Sequence, residues 1–179
     1  MIDNAIKLVF KAHRGQVRRN GDIEFAYHPI AVGMMLQANG YSEEVVISGL
    51  LHDIIEDTTY DYEYLKEHYG NRIADNVLMM SEDNSITNFK ERKEAFLNKI
   101  KYASNEIIIV ELCDKLHNLE SDYETYQKEG MGMYERATSK YEDIKWFYLE
   151  LSKIFNERVK NEVLLKRYND IVKYYFKKG

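Results

Sequence analysis

His28, the pair His52–Asp53 and Asp114 place metal-ligand side chains at three separated points of the chain. Two imidazoles and two carboxylates make a mixed nitrogen and oxygen donor set, which suits a borderline or hard divalent ion such as manganese, iron or zinc. Four protein ligands around a six-coordinate ion leave positions for water and a phosphate oxygen. A lone His beside a helix start is ordinarily a cap or a satisfied core group, and His-Asp is a common dipeptide. Context separates these residues from that background. His52 and Asp53 follow Val45, Val46, Ile47, Leu50 and Leu51, and Asp114 follows Ile107–Val110 and Leu112, with Leu116 and Leu119 beyond. Acids and imidazoles set into apolar helices are costly to bury without a partner, and one shared cation accounts for both places.

Glu56 and Asp57 close the run His52-Asp53-Ile54-Ile55-Glu56-Asp57. On a continuous helix Glu56 projects near the face of His52 and Asp53, where a carboxylate that does not ligate the ion can orient or deprotonate an attacking water. Acids at a helix C-terminus oppose the macrodipole, so local stability does not explain them. Asn118 lies one helical turn beyond Asp114 and is within reach of a ligand held there. His117 stays unassigned, and His68 is expected on a surface helix. Arg14, Arg18 and Arg19 form a local cationic cluster suited to a phosphorylated ligand.

The elements that must carry these residues read as helices. Ile6, Val9, Phe10 and His13 share one helical face, followed by a polar loop, Gly15–Glu24. Pro29 is expected as the first residue of a helix that Gly40 ends. Ser42, with Glu43 and Glu44, reads as the N-cap of a third helix running to about Glu56. Asp61 is expected to cap a short helix ending near Gly70, and Asn71 to begin the next. After a polar break at Ser81–Asn88 come helices over Phe89–Tyr102 and Asn105–Tyr123. Ile107–Val110 has the length of a buried strand but sits in a helical pattern. The Gly130–Gly132 break precedes packing helices across 134–177, about Tyr134–Phe155 and Arg158–Phe176. Most of the 15 tyrosines are expected half-buried, with hydroxyls at the surface. The expected fold is all-α, a single helical-bundle domain over 1–179.

With 179 residues, 45% hydrophobic and 31% charged, the composition is that of a globular chain. A net charge of −5 weighs against nucleic-acid binding, which needs a basic face. Apolar runs fall short of a membrane span. The N-terminal segment lacks signal-peptide character, and the lone Cys113 rules out an internal disulfide framework, so a cytoplasmic setting is expected.

His28-Pro29, His52-Asp53-Ile54-Ile55-Glu56-Asp57-Thr58 and Asp114-Lys115-Leu116-His117-Asn118 resemble successive motifs of the HD-domain hydrolases of the Rel/Spo alarmone family. Ala12-His13-Arg14-Gly15-Gln16-Val17-Arg18-Arg19-Asn20-Gly21 resembles that family's first motif, and the likeness covers roughly Ala5 to Tyr123. It implies one manganese ion held by His28, His52, Asp53 and Asp114. It further implies water positioned by Glu56 and Asp57, a guanine base bracketed by Arg18 and Arg19, and nucleotide contact by Asn118. The implied reaction removes pyrophosphate from the 3′ position of guanosine tetra- or pentaphosphate, in a stand-alone small hydrolase. Arg19 stands where the family usually has Lys, Phe25 where Tyr is common, and Met79–Asn88 lacks the usual Thr-Lys stretch. The rival readings are an HD phosphohydrolase acting on another nucleotide, whether a nucleotidase or a dinucleotide-phosphate phosphatase, and a non-catalytic nucleotide-binding module. The expected partner is a small nucleotide, with a homo-oligomer left open.

Overall fold

The computed structural model describes residues 1–18, 23–136 and 139–176, with the backbone alone at 135–136. Among these the chain is helical, as expected. Its β pairing is one isolated antiparallel bridge, Val17 with Glu24. The described residues contain no helix long and apolar enough to cross a membrane. The chain divides into two compact units, Met1–Glu82 and Asp83–Gly179.

The first unit holds α1 (Ile2–Ala12), α2 (Tyr27–Ala38), α3 (Glu43–Leu51), α4 (Ile54–Asp57), α5 (Tyr62–Tyr69) and α6 (Asn71–Met80). Val45 through Leu51 are all buried. A helix apolar on every side must lie at the centre of its unit, and α1, α2 and α6 pack around α3. The Ser42 hydroxyl accepts from the Val45 N–H at 3.4 Å, and the Asp61 carboxylate from the Tyr64 N–H at 2.9 Å, so both expected caps are present. Gly33 on α2 faces Leu50, and Gly49 on α3 faces Leu36, both without room for a Cβ. These two glycines let α2 and α3 approach closely.

In this unit two boundaries differ from the sequence reading. Pro29 is the third residue of α2 rather than the first. That position is equally permissive, because the first-turn N–H groups lack intrahelical acceptors anyway. The helix expected to run to Glu56 stops at Leu51 and resumes as the single turn α4. The His52 imidazole Nδ1 donates to the Gly49 carbonyl at 2.8 Å, the acceptor a continuing helix offers to the Asp53 N–H.

The second unit holds α7 (Phe89–Ile100), α8 (Asn105–Glu129), a 3-10 helix (Gly130–Arg136), α9 (Tyr141–Arg158) and α10 (Glu162–Phe176). Helix α8 is central here, buried continuously from Ile107 to Asp114 and capped by the Ser104 hydroxyl. Ile107–Val110 is therefore helix, as read. The helix runs beyond the expected Tyr123 and ends at Gly130, whose φ of +63° favours a residue without a Cβ. Tyr134 belongs to the 3-10 turn, so α9 starts later than expected. Arg167 of α10 forks onto both Glu120 carboxylate oxygens at 2.6 Å. Arg158 donates to the Lys101 and Ala103 carbonyls, closing the α7–α8 turn.

Most of the tyrosines are half-buried, as expected. Tyr148, Tyr168 and Tyr175 are buried, and the hydroxyls of Tyr168 and Tyr175 find partners inside the unit. Tyr168 donates to the Tyr148 carbonyl at 3.1 Å, and Tyr175 bonds Tyr134 and the Met133 sulfur.

Candidate metal centre

The approach of α2 to α3 brings two imidazoles face to face. His28 lies in the first turn of α2 and His52 caps the end of α3, and both are almost fully buried. Their Nε2 atoms are 3.2 Å apart. A carbonyl can only accept, so the bond to Gly49 places a proton on His52 Nδ1, and in the neutral ring Nε2 is the acceptor nitrogen. Two ring nitrogens sit this close only with a proton or a cation between them. The Asp53 Oδ2 lies 3.2 Å from His52 Nε2 and 3.6 Å from His28 Nε2. Nitrogens bound to one ion at about 2.1 Å can be no more than about 4 Å apart. The spacing, the fixed tautomer and the backbone carbonyl behind the ring all fit a metal-ligating His. His28, His52 and Asp53 thus come together as expected.

Glu56 and Asp57 occupy α4, directly after these ligands. Glu56 is half-buried, and its Oε2 accepts from the Glu82 backbone N–H at 2.8 Å. That bond ties α4 to the segment leaving α6. Asp57 is exposed. Thr58 ends α4 by donating its hydroxyl to the Ile54 carbonyl at 2.6 Å.

In the second unit Asp114 is buried on α8. Its Oδ1 accepts from the Asn118 amide at 2.6 Å, and its Oδ2 from the Lys115 ammonium at 2.5 Å. Lys115 also reaches Glu111 Oε2 at 3.4 Å and lies over the Phe96 ring. These two bonds orient the Asp114 carboxylate. Asn118, expected to contact a nucleotide, is one of the groups that hold Asp114. His117 is buried on the same helix and His68 is exposed, stacked on Tyr64. Cys113 is buried, and burial raises its thiol to about 12, which removes it as a nucleophile.

Of the arginines, Arg14 is exposed and Arg18 is half-buried with its guanidinium 5.8 Å from the Phe25 ring centre. The Arg18 N–H donates to the Ile23 carbonyl at 2.8 Å, closing the base of the loop. Arg19 lies outside the described residues.

Sequence reasoning missed His13 and Gln16 as parts of this site. His13 is buried and packs on Phe25, with ring centres 4.8 Å apart. Its Nδ1 lies 2.7 Å from Gln16 Oε1. Burial lowers its pKa, opposed by the Gln16 bond and by the charge of Asp53. The available signal was the place of His13 at the end of the apolar stripe of α1, as its C-cap, three residues before Gln16.

An HD-domain family model matches residues 5–140. A Haemophilus influenzae protein named guanosine-3′,5′-bis(diphosphate) 3′-pyrophosphohydrolase is 35% identical over 114 residues, covering 60% of this chain and 16% of that protein. This chain spans 15–17% of the length of the curated relatives it matches. A solved structure of a metazoan SpoT orthologue, described as hydrolysing ppGpp and acting in starvation responses, superposes with a TM-score of 0.79. It covers 97% of this chain and 94% of its own at 22% identity. The crystal structure of lmo0812 from Listeria monocytogenes EGD-e gives a TM-score of 0.74 at 27% identity, covering 84% of this chain and 94% of its own.

Proposed function

This chain belongs to the HD-domain family, and from that premise we propose that it hydrolyses the 3′-pyrophosphate of guanosine tetra- or pentaphosphate with a bound divalent ion. The observation that carries the reading is the His28–His52 pair, with facing Nε2 atoms, the His52 ring oriented through Nδ1 by the Gly49 carbonyl, and Asp53 beside both. The relatives named for guanosine pyrophosphate chemistry support the substrate class.

In this reading His28, His52, Asp53 and Asp114 hold the ion, with manganese as the expected metal and iron or zinc as alternatives. When bound, the ion supplies Lewis acidity for phosphoryl chemistry. Glu56 and Asp57 orient the attacking water and accept its proton. The water oxygen bonds to the phosphorus carried by the 3′-oxygen, the P–O3′ bond breaks, and a proton goes to O3′. The products are GDP, or GTP from the pentaphosphate, and pyrophosphate. Arg18 and Arg19 bracket the base, with Arg18 already placed over Phe25. Asn118 is assigned to nucleotide contact in addition to holding Asp114. The partner is then a small nucleotide, in a cytoplasmic setting.

The test follows GDP and pyrophosphate from guanosine tetraphosphate, with manganese and with manganese plus a chelator. Metal-dependent release of both products is expected. Bound metal with no GDP would move the substrate to another nucleotide, and tight binding without turnover would make the chain a regulatory module.

A further inference from the structure

Gln16 stands between two groups that dictate its orientation. The Asp57 carbonyl oxygen lies 2.8 Å from Gln16 Nε2 and can only accept, so the amide nitrogen must face it. The amide oxygen therefore faces His13, and His13 Nδ1 must be the donor at 2.7 Å. This chain of bonds fixes three things at once: the Gln16 amide, the His13 tautomer and the end of α4. His13 cannot turn to release Gln16, because it is buried and its ring packs on Phe25. Its Nε2 is left buried without a hydrogen-bond partner among the described residues. Carrying a buried acceptor unmet costs about 1–3 kcal/mol, which a purely structural core position would avoid with an apolar residue.

The backbone of Gln16 is committed as well. Its N–H donates to the His13 carbonyl at 3.0 Å, and its carbonyl accepts from the Phe25 N–H at 2.9 Å. The same segment pairs Val17 with Glu24 and carries Arg18. Gln16 is thus rigid at its root and reaches across 41 positions of sequence to one atom of α4. Helix α4 is a single turn, too short to hold its own shape. It depends on outside bonds, and the Gln16 amide supplies one to the carbonyl of its last residue.

We propose that Gln16, keyed by His13, is a positioning residue: its amide clamps the Asp57 carbonyl and thereby sets the aim of the Glu56–Asp57 pair. The assignment of that pair rests on the function proposed above; the clamp itself rests on the hydrogen bonds. Gln16 acts through α4 on the chemical step, and through the loop it shares with Arg18 it joins the nucleotide-binding side to the water-orienting side.

The test compares Gln16→Glu and Gln16→Met with wild type, all manganese-loaded. The Glu variant keeps an acceptor for His13 but sets oxygen against the Asp57 carbonyl oxygen. The Met variant keeps the side-chain length and loses both polar atoms. Metal content should stay at the wild-type level in both. Amide exchange over residues 54–58 should rise about threefold to tenfold, the worth of one net hydrogen bond. The kcat for guanosine tetraphosphate should fall about tenfold with KM within about twofold, as expected when a reacting group is misplaced by less than 1 Å. Unchanged exchange in the Glu variant overturns the clamp, and so does a loss that appears as KM alone. If wild type does not turn over guanosine tetraphosphate, the substrate assignment fails, while the exchange measurement still judges the clamp.

Discussion

Replacing Gly33 by Ala tests whether the contact between α2 and α3 is what sets the two imidazoles. A Cβ at Gly33 would lie 2.6 Å from Leu50 Cδ2 and 2.7 Å from Leu50 Cγ, whereas ordinary contact begins near 3.4 Å. The branch carbon cannot swing away as a methyl can, and Leu50 is 2% exposed. The helices must therefore part by roughly 0.8 Å, the shortfall from ordinary contact. Overpacking of this kind costs about 1–3 kcal/mol, and the better helix propensity of Ala returns up to about 1 kcal/mol. A net loss of about 1–2 kcal/mol lowers the Tm of a chain this size by roughly 2–8 °C. The same movement widens the 3.2 Å between the His28 and His52 nitrogens and should weaken metal affinity about tenfold. The assay is thermal unfolding of the metal-free protein with and without added manganese, beside a metal titration. Gly132→Ala serves as the control, since a Cβ there meets nothing within 4 Å, and its effect should stay within about 0.5 kcal/mol. A Gly33→Ala protein with wild-type Tm and wild-type metal affinity would refute the reasoning.

Asp53→Ala should lose both bound metal and turnover, whereas Glu56→Gln should keep the metal and lose roughly 10²- to 10⁴-fold in kcat. The Gln oxygen can still accept from the Glu82 N–H, so near-normal turnover would show that Glu56 does not handle the water. His13 is held below its ordinary pKa by burial, so the unfolded chain takes up this proton first. Its contribution to stability is then full above the unfolded value of 6.5 and lost as pH falls toward the folded one. Denaturant midpoints of metal-free wild type and His13→Phe between about pH 5 and pH 7 measure this, and parallel slopes would remove His13 as a source. Cys113, buried and raised to about 12, should resist alkylation at about pH 8 until the protein is unfolded; rapid labelling of the native chain would contradict its burial.

Much of this protein was legible in its residues. Apolar spacing gave the helices, since a periodic stripe is a local property that no other secondary structure satisfies. Ser42, Asp61 and Gly130 marked boundaries because a cap or a positive φ acts within a few residues. The ligand types at His28, His52 and Asp53 stood out because such groups are expensive in apolar surroundings. Tertiary structure decided the rest. The break between Leu51 and Ile54 follows from where the His52 ring points, and that depends on its partner across α2. The burial of Tyr168 and Tyr175 required partners on other helices. The bond from Gln16 to Asp57 joins residues 41 positions apart, and no local pattern encodes a hydrogen bond whose acceptor is a backbone carbonyl, an atom that every residue carries.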